Sequence, residues 1–263
     1  GSNNYLGLAA DERVVLGAIA ALAEVGAGAA ASPLLGGHME DHEALESEIA
    51  SWLGVESALL FGSGWHANVG TIAALVGPGD AVFSDELNHA SLIDGCRLSR
   101  ATVQVFPHRD AEALERLLAG SGARRKLIVT DAVFSMDGTC APLARIVEIA
   151  ERHDAWVMVD EAHSTGVFGP GGAGLVAALG LGDRVDVRMG TLGKALGGYG
   201  AFVAGARDTI ELLLNRARAY VFSTALPPSV VAAARIAIGI ARRDDERRER
   251  LWGHARQIGR AHV

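Results

Sequence analysis

The stretch RMGTLGKALGGYGAF, residues 188–202, places one lysine, Lys194, among glycines. Of the 24 basic residues in the chain only Lys126 and Lys194 are lysines, so arginine supplies positive charge almost everywhere else. A neutral amine is a nucleophile and a guanidinium is not, so a lysine kept against that background points to amine chemistry. Codon usage explains one lysine equally well, and the weight rests on what converges with it. A second feature is WVMVDEAHSTG (156–166), a strand-like run ending in Asp160 with His163 three residues on. In parallel sheets ligands gather beyond the carboxyl ends of the strands, and a carboxylate there needs a cation. An aspartate that merely starts a turn is the plain alternative.

Two glycine patterns bear on phosphate. GAGAAA (26–31) follows a helix-like segment and fails the strand-turn-helix context of a dinucleotide fingerprint. GSGWHA (62–67) follows the strand-like ALLF and opens the segment WHANVGTIAAL, a context that suits an anion at a helix N-terminus. GTLGKALG is only superficially a phosphate loop, because two residues separate its first glycines and Ala195 replaces the magnesium-binding hydroxyl. A phosphate cradle, an aspartate at a strand end and a selected lysine together meet the needs of pyridoxal phosphate: an anion site, a partner for the pyridine nitrogen and an amine for the carbonyl.

These residues need a scaffold. Short β-rich runs, ALLF (58–61), AVFS (81–84), TVQVF (102–106), LIVTDAVF (127–134), WVMVD (156–160), RVDVRM (184–189) and AFVAG (201–205), mostly alternate with helix-periodic segments such as HEALESEIASWL, DAEALERLLAG and PLARIVEIAERH. Such alternation predicts an α/β fold with a mainly parallel seven-stranded sheet between helices. Asp110 is placed to N-cap one helix and Pro142 to open another. The organisation expected is an N-terminal arm and loop over 1–40, a large domain over 41–245, and over 246–263 the start of a helical connection. SVVAAARIAIGIA, broken by Arg235, reads as a buried or amphipathic helix, and ARRDDERRERLWGHARQ as a solvated helix face.

With 263 residues, 49% hydrophobic and 21% charged, the chain has the composition of a soluble globular protein. A formal net charge of −7 gives no support to a nucleic-acid partner, and no segment reads as a membrane span or a signal peptide. Cys96 and Cys140 form no CxxC or Cys/His cluster, so neither a disulfide framework nor a metal site is expected, and a reducing cytoplasm is the expected location.

The ordered set NNYLGLA, GSGWHAN, LNHASLIDG, VFSMDGTCAPL, VDEAHSTGVFG, GTLGKALGGYGAF and VFSTALPP resembles the α-oxoamine synthases, fold-type I pyridoxal phosphate enzymes that join an amino acid to an acyl-CoA. The resemblance runs from residue 3 to beyond 230. It implies that Lys194 holds the cofactor, that Asp160 pairs with the ring nitrogen, and that His163 bonds the phenolic oxygen. It further implies that His89 stacks on the ring and meets the substrate. The backbone at Gly64 and Trp65, with Thr191, would hold the phosphate. Ser135 would contact the cofactor, and Thr224 would reach the phosphate in a neighbouring subunit, which makes a homodimer part of the expectation. Structural readings stand beside these: His89 as a helix-start residue, Ser135 as a cap of the turn SMDG. His38, His42, His66, His108, His153, His254 and His262 read as structural or surface residues, and Cys140 as a core filler.

GKALGGYGAFVAG is similar to the branch of the family that joins L-alanine to pimeloyl-CoA, or a pimeloyl carrier thioester, in biotin synthesis. Glycine acetyltransferase or another α-oxoamine synthase is the alternative. The pattern also departs from the family: the small C-terminal domain that the resemblance implies has no counterpart here, and Pro33 stands where many relatives place an arginine. A fragment that binds cofactor without turnover, and a fold-type I aminotransferase or lyase, therefore remain open.

Overall fold

In the computed structural model, residues 1–260 are described; His262 lies outside them. Seven strands form one sheet: β1 (Ser57–Phe61), β2 (Ala81–Asp85), β3 (Thr102–Phe106), β4 (Lys126–Asp131), β5 (Trp156–Asp160), β6 (Val187–Thr191) and β7 (Ala201–Gly205), in the order β1-β7-β6-β5-β4-β2-β3. The pairs from β3 through β6 are parallel, while β7 runs antiparallel to both β6 and β1. The helices are α1 (Glu12–Val25), α2 (Glu40–Leu53), α3 (Gly64–Leu75), α4 (Ala90–Ser99), α5 (Ala111–Ala119), α6 (Leu143–Arg152), α7 (Leu175–Ala178), α8 (Arg207–Arg216), α9 (Arg218–Val221), α10 (Pro228–Arg243) and α11 (Asp245–Arg260).

The sheet is covered on both faces, which is why its strands read as continuous apolar runs rather than alternating ones. Val82, Val129, Met158 and Met189 point to the side of Ile72 in α3 and Leu92 in α4. Phe83, Ile128, Val157 and Val159 point to the side of Leu114 in α5 and Ile146 in α6. A third cluster joins Ala58, Leu60 and Phe202 of the sheet to Leu45 and Ile49 of α2 and to Val231 and Ile238 of α10. Each fully buried Val, Leu, Ile, Phe or Met among them contributes roughly 1.5–3 kcal/mol relative to exposure.

The expected strands and caps are found with small shifts. Asp110 caps α5 by accepting the Ala113 N–H at 2.8 Å, and Pro142 stands at the N-cap of α6, one residue ahead of the helix. The expected strand 127–134 stops at Asp131, because the chain then folds into a small hairpin: Val133 bridges Cys140, and Gly138, with φ +66°, closes the turn by donating to Phe134 O. The expected strand 184–189 begins only at Val187. Asp186 accepts the Val157 N–H through its carboxylate at 2.7 Å, so a side chain supplies what a strand residue would have paired.

β6 and β7 are antiparallel neighbours, so a short loop joins them where a parallel pair would have needed a helix. That loop, 192–200, carries Lys194. Its glycines have a steric cause. A Cβ on Gly197, at φ +68°, would lie 2.2 Å from the Ala9 nitrogen, and one on Gly200, at φ +102°, would lie 3.1 Å from Phe61 O. The N-terminal segment thus packs against the loop at Gly197 only because a side chain is missing there.

Candidate active site

Strand ends and loop starts converge at one place on the α3/α4 side of the sheet. A cavity of about 190 Å³ is lined by Gly64 and Trp65 from the start of α3, His89 and Ser91 from the start of α4, Asp131 ending β4, Asp160, Ala162 and His163 after β5, and Met189, Thr191 and Lys194 from β6 and its loop. A larger surface groove of about 510 Å³, bordered by Glu56, Asp183 and Asp186, lies at the opening end of β6 and is lined by no lysine, histidine or cysteine. Chemistry and topology both favour the smaller cavity.

Lys194 Nζ is 2.8 Å from His163 Nε2, and His163 Nδ1 is 2.7 Å from the Tyr5 hydroxyl. Burial, reinforced by the positive charge of Lys194 and His89, pushes His163 down to about 4, so its ring is neutral near pH 7. With the lysine donating to Nε2, the ring proton sits on Nδ1 and is donated to the tyrosine oxygen. Burial lowers Lys194 as well, against the pull of Asp160 and Asp131, and so raises its neutral fraction.

Asp160 is 2% exposed. Its Oδ1 accepts the Ala162 N–H at 2.8 Å and its Oδ2 accepts from Asn68 Nδ2 at 2.7 Å. Asn68, one turn into α3, donates also to Ser91 Oγ at 2.8 Å, and Ser91 Oγ lies 2.7 Å from His89 Nδ1. One polar chain therefore runs Asp160, Asn68, Ser91, His89. Burial raises the Asp160 carboxyl, so a cation placed against it would be needed to keep it ionised at low cost. Asn68 Oδ1 is buried without a partner.

Immediately behind this wall lies a buried ion pair. Glu161, next to Asp160, accepts from Arg188 Nε at 2.9 Å and Nη2 at 2.7 Å, and both side chains are at most 3% exposed. Arg188 donates further to the carbonyls of Leu53, at the end of α2, and Ala173. Glu161 also accepts from Val176 N and Ser164 Oγ. The turn carrying Asp160 and His163 is thereby tied to the far face of the sheet.

Of the residues expected from the sequence, Lys194, Asp160, His163, His89, Gly64, Trp65 and Thr191 are brought together. Thr191 also staples its own loop, donating to Gly200 O and accepting from Gly193 N. Ser135 lies exposed in the hairpin turn and does not line the cavity. Thr224 is exposed beside a separate crevice of about 20 Å³ shared with His38, His42 and Glu46. His42 is structural, bonded to Leu226 O, and His108 packs against Phe134 while bonding Asp85 and Thr139. Sequence reasoning missed Tyr5, Asn68, Ser91 and Asp131. For Asp131 a signal existed, since it ends the β4 run as Asp160 ends β5, and the two are register partners.

The sequence matches the aminotransferase class I and II family over residues 1–261. The chain belongs to that family. It is 58% identical over 251 residues to the 8-amino-7-oxononanoate synthase of Anaeromyxobacter sp. (strain K), covering 95% of this chain and 63% of that protein. The chain thus spans less than two thirds of that relative's length. Among solved structures, a serine palmitoyltransferase from S. paucimobilis with a bound PLP-myriocin aldimine superposes with a TM-score of 0.95 at 38% identity, over 97% of this chain and 67% of that one. The 8-amino-7-oxononanoate synthase of Francisella tularensis superposes with a TM-score of 0.82 at 29% identity, over 95% of this chain and 70% of that one. The mainly parallel seven-stranded sheet is that of the fold-type I pyridoxal phosphate transferases, as the sequence resemblance implied.

Proposed function

We propose that this chain supplies the cofactor-binding part of a pyridoxal phosphate-dependent acyltransferase. The reaction condenses L-alanine with pimeloyl-CoA, or a pimeloyl carrier thioester, to 8-amino-7-oxononanoate, releasing CoA and CO2. The observation that carries the reading is the placement of the one glycine-flanked lysine, with its amine 2.8 Å from a neutral histidine, in the same cavity as the buried Asp160. The donor set suits the cofactor: an amine, a desolvated carboxylate and, across the cavity, first-turn N–H groups of α3 at Gly64 and Trp65, which a helix leaves unpaired.

When bound, pyridoxal phosphate supplies an electron sink for the pair left as a bond to the amino-acid Cα breaks. The chain's residues serve that chemistry in separate ways. Lys194 would hold the cofactor carbonyl, and burial keeps its amine partly neutral and so able to take a proton from the amino-acid Cα. Asp160, oriented by Asn68 and the Ala162 N–H, holds a proton on the ring nitrogen. His163, kept neutral and oriented by Tyr5, bonds the phenolic oxygen. His89 covers the ring face, and the start of α3 with Thr191 binds the phosphate.

Alanine and a pimeloyl thioester are favoured over serine and palmitoyl groups because identity is 58% to the Anaeromyxobacter synthase and 38% to the palmitoyltransferase, although the palmitoyltransferase superposes more tightly than the Francisella synthase. The active species is a homodimer in the cytoplasm, with Thr224 serving the neighbouring subunit. No helix among the described residues is long and apolar enough to cross a membrane.

The test mixes the chain with pyridoxal phosphate and follows visible absorbance in wild type and Lys194→Ala, then CoA release on adding L-alanine and pimeloyl-CoA. Lys194-dependent absorbance with CoA release that requires both substrates is the expected result. Cofactor uptake without CoA release would refute turnover by these residues, and transamination independent of CoA would refute the synthase assignment. Sedimentation of the cofactor-loaded chain as a monomer would refute the dimer.

A further inference from the structure

We infer that Asp131 is a positioning residue that, with Asn88, fixes His89 at the rim of the cavity. The inference rests on the proposed cofactor site only for what His89 does there. The hydrogen-bonded ladder between the parallel strands β2 and β4 is in register from Ala81 and Lys126 to Ser84 and Val129. Beyond Ser84 the β2–β4 ladder stops, while Asp85 still pairs with Phe106 of β3, and two side chains continue the stitching toward β4. Asn88 Oδ1 accepts the Asp131 N–H at 3.0 Å, and Asn88 Nδ2 donates to Val129 O at 2.8 Å and to Ser84 Oγ at 2.9 Å. One residue on, the His89 N–H donates to Asp131 Oδ2 at 2.7 Å. Asn88 and Asp131 are 5% and 4% exposed, so these bonds form where water does not compete.

His89 itself is exposed, and no surrounding core holds its ring. It is the N-cap of α4, and Ser91 engages ring Nδ1 through both its N–H and its hydroxyl. Orientation therefore depends on two anchors: Ser91 for the ring and Asp131 for the backbone. Asp131 also borders the cavity next to Asp160, its register partner. Burial, with the Asp160 charge beside it, pushes Asp131 up to about 8. Near neutrality the side chain is thus mostly an uncharged acid that accepts an N–H through its carbonyl oxygen, a task that asparagine can copy in both shape and charge.

The experiment compares wild type, Asp131→Ala, Asp131→Asn, His89→Ala and the double variant His89→Ala/Asp131→Ala by two readouts. The first is hydrogen exchange of the His89 amide in the cofactor-free chain. The second is pyridoxal phosphate affinity by fluorescence titration. The expected results are a His89 amide protected in wild type and in Asp131→Asn, exchange about tenfold faster in Asp131→Ala, as loss of one net hydrogen bond gives, and an affinity in the double variant no weaker than in His89→Ala alone. An unprotected His89 amide in wild type would overturn the inference even if Asp131→Ala failed to fold. So would fully additive losses of affinity, or an asparagine variant as damaged as the alanine one. If His89→Ala leaves the affinity unchanged while Lys194→Ala abolishes it, the assigned role of His89 fails, and the exchange data alone decide the positioning.

Discussion

Replacing Glu161 by Gln isolates the buried pair behind the active-site wall, because glutamine keeps the shape and removes the charge. The carboxylate takes four hydrogen bonds, two of them from Arg188, and both partners are at most 3% exposed. Arg188 would keep only the Leu53 and Ala173 carbonyls as strong acceptors, and its charge would remain in the core. Removing one partner of a buried pair costs about 3–5 kcal/mol, mostly from the charge left behind. For a chain of this size each kcal/mol moves the melting midpoint by about 2–4 °C. Because the amide retains some of the bonds, a loss of about 3 kcal/mol and a fall of about 6–12 °C are expected by circular dichroism. The double variant Glu161→Leu/Arg188→Met, which removes both charges, is expected to melt above Glu161→Gln alone. A Glu161→Gln midpoint within about 1 °C of wild type would correspond to less than about 0.5 kcal/mol and would refute the account of the pair as a tie on the Asp160–His163 turn.

Two further outcomes follow from the same geometry. Asp131 sits near 3.8 when unfolded and is raised to about 8 in the fold. The folded state therefore binds the extra proton between those values, its contribution is full below about 3.8, and it is lost as pH rises through about 8. Urea unfolding at pH 5.5 and at pH 8.5 should show a loss of stability on the alkaline side that is smaller in Asp131→Asn, and an identical loss in both proteins would contradict the assigned ionisation. Gly197→Ala places a Cβ 2.2 Å from Ala9 N at φ +68°. Backbone strain alone costs about 1–3 kcal/mol, so a lower midpoint together with faster proteolysis of the N-terminal segment is expected, and unchanged values for both would show that the loop relaxes freely.

Local chemistry made the scaffold legible. Apolar runs covered on both faces, the N-cap at Asp110 and the glycine-flanked turns are short-range features, and the strands they mark are found within a few residues. The misplaced ends of β4 and β6 have different causes: past Asp131 the chain turns into a hairpin, and at Asp186 a side chain takes over pairing that the hydrophobic pattern assigns to backbone. The resemblance implies a cofactor contact at Ser135, with a turn cap as the plain alternative, and the fold places the residue exposed in the hairpin turn.

The sequence by itself determined which groups are the candidates for chemistry: one amine kept where arginine is the rule, one aspartate and one histidine at a strand end, one helix start open to an anion. The tertiary structure decided who attends them. Tyr5 reaches His163 across 158 positions, Asn68 reaches Asp160 across 92, and Arg188 supports Glu161 across 27. No periodicity encodes such pairs, because they arise from strand order, and strand order places β4, β5 and β6 side by side although helices separate them in the chain. Asp131 is the plainest case: visible in the sequence as a strand end, it becomes a neighbour of both Asp160 and His89 only when the parallel strands align their carboxyl ends.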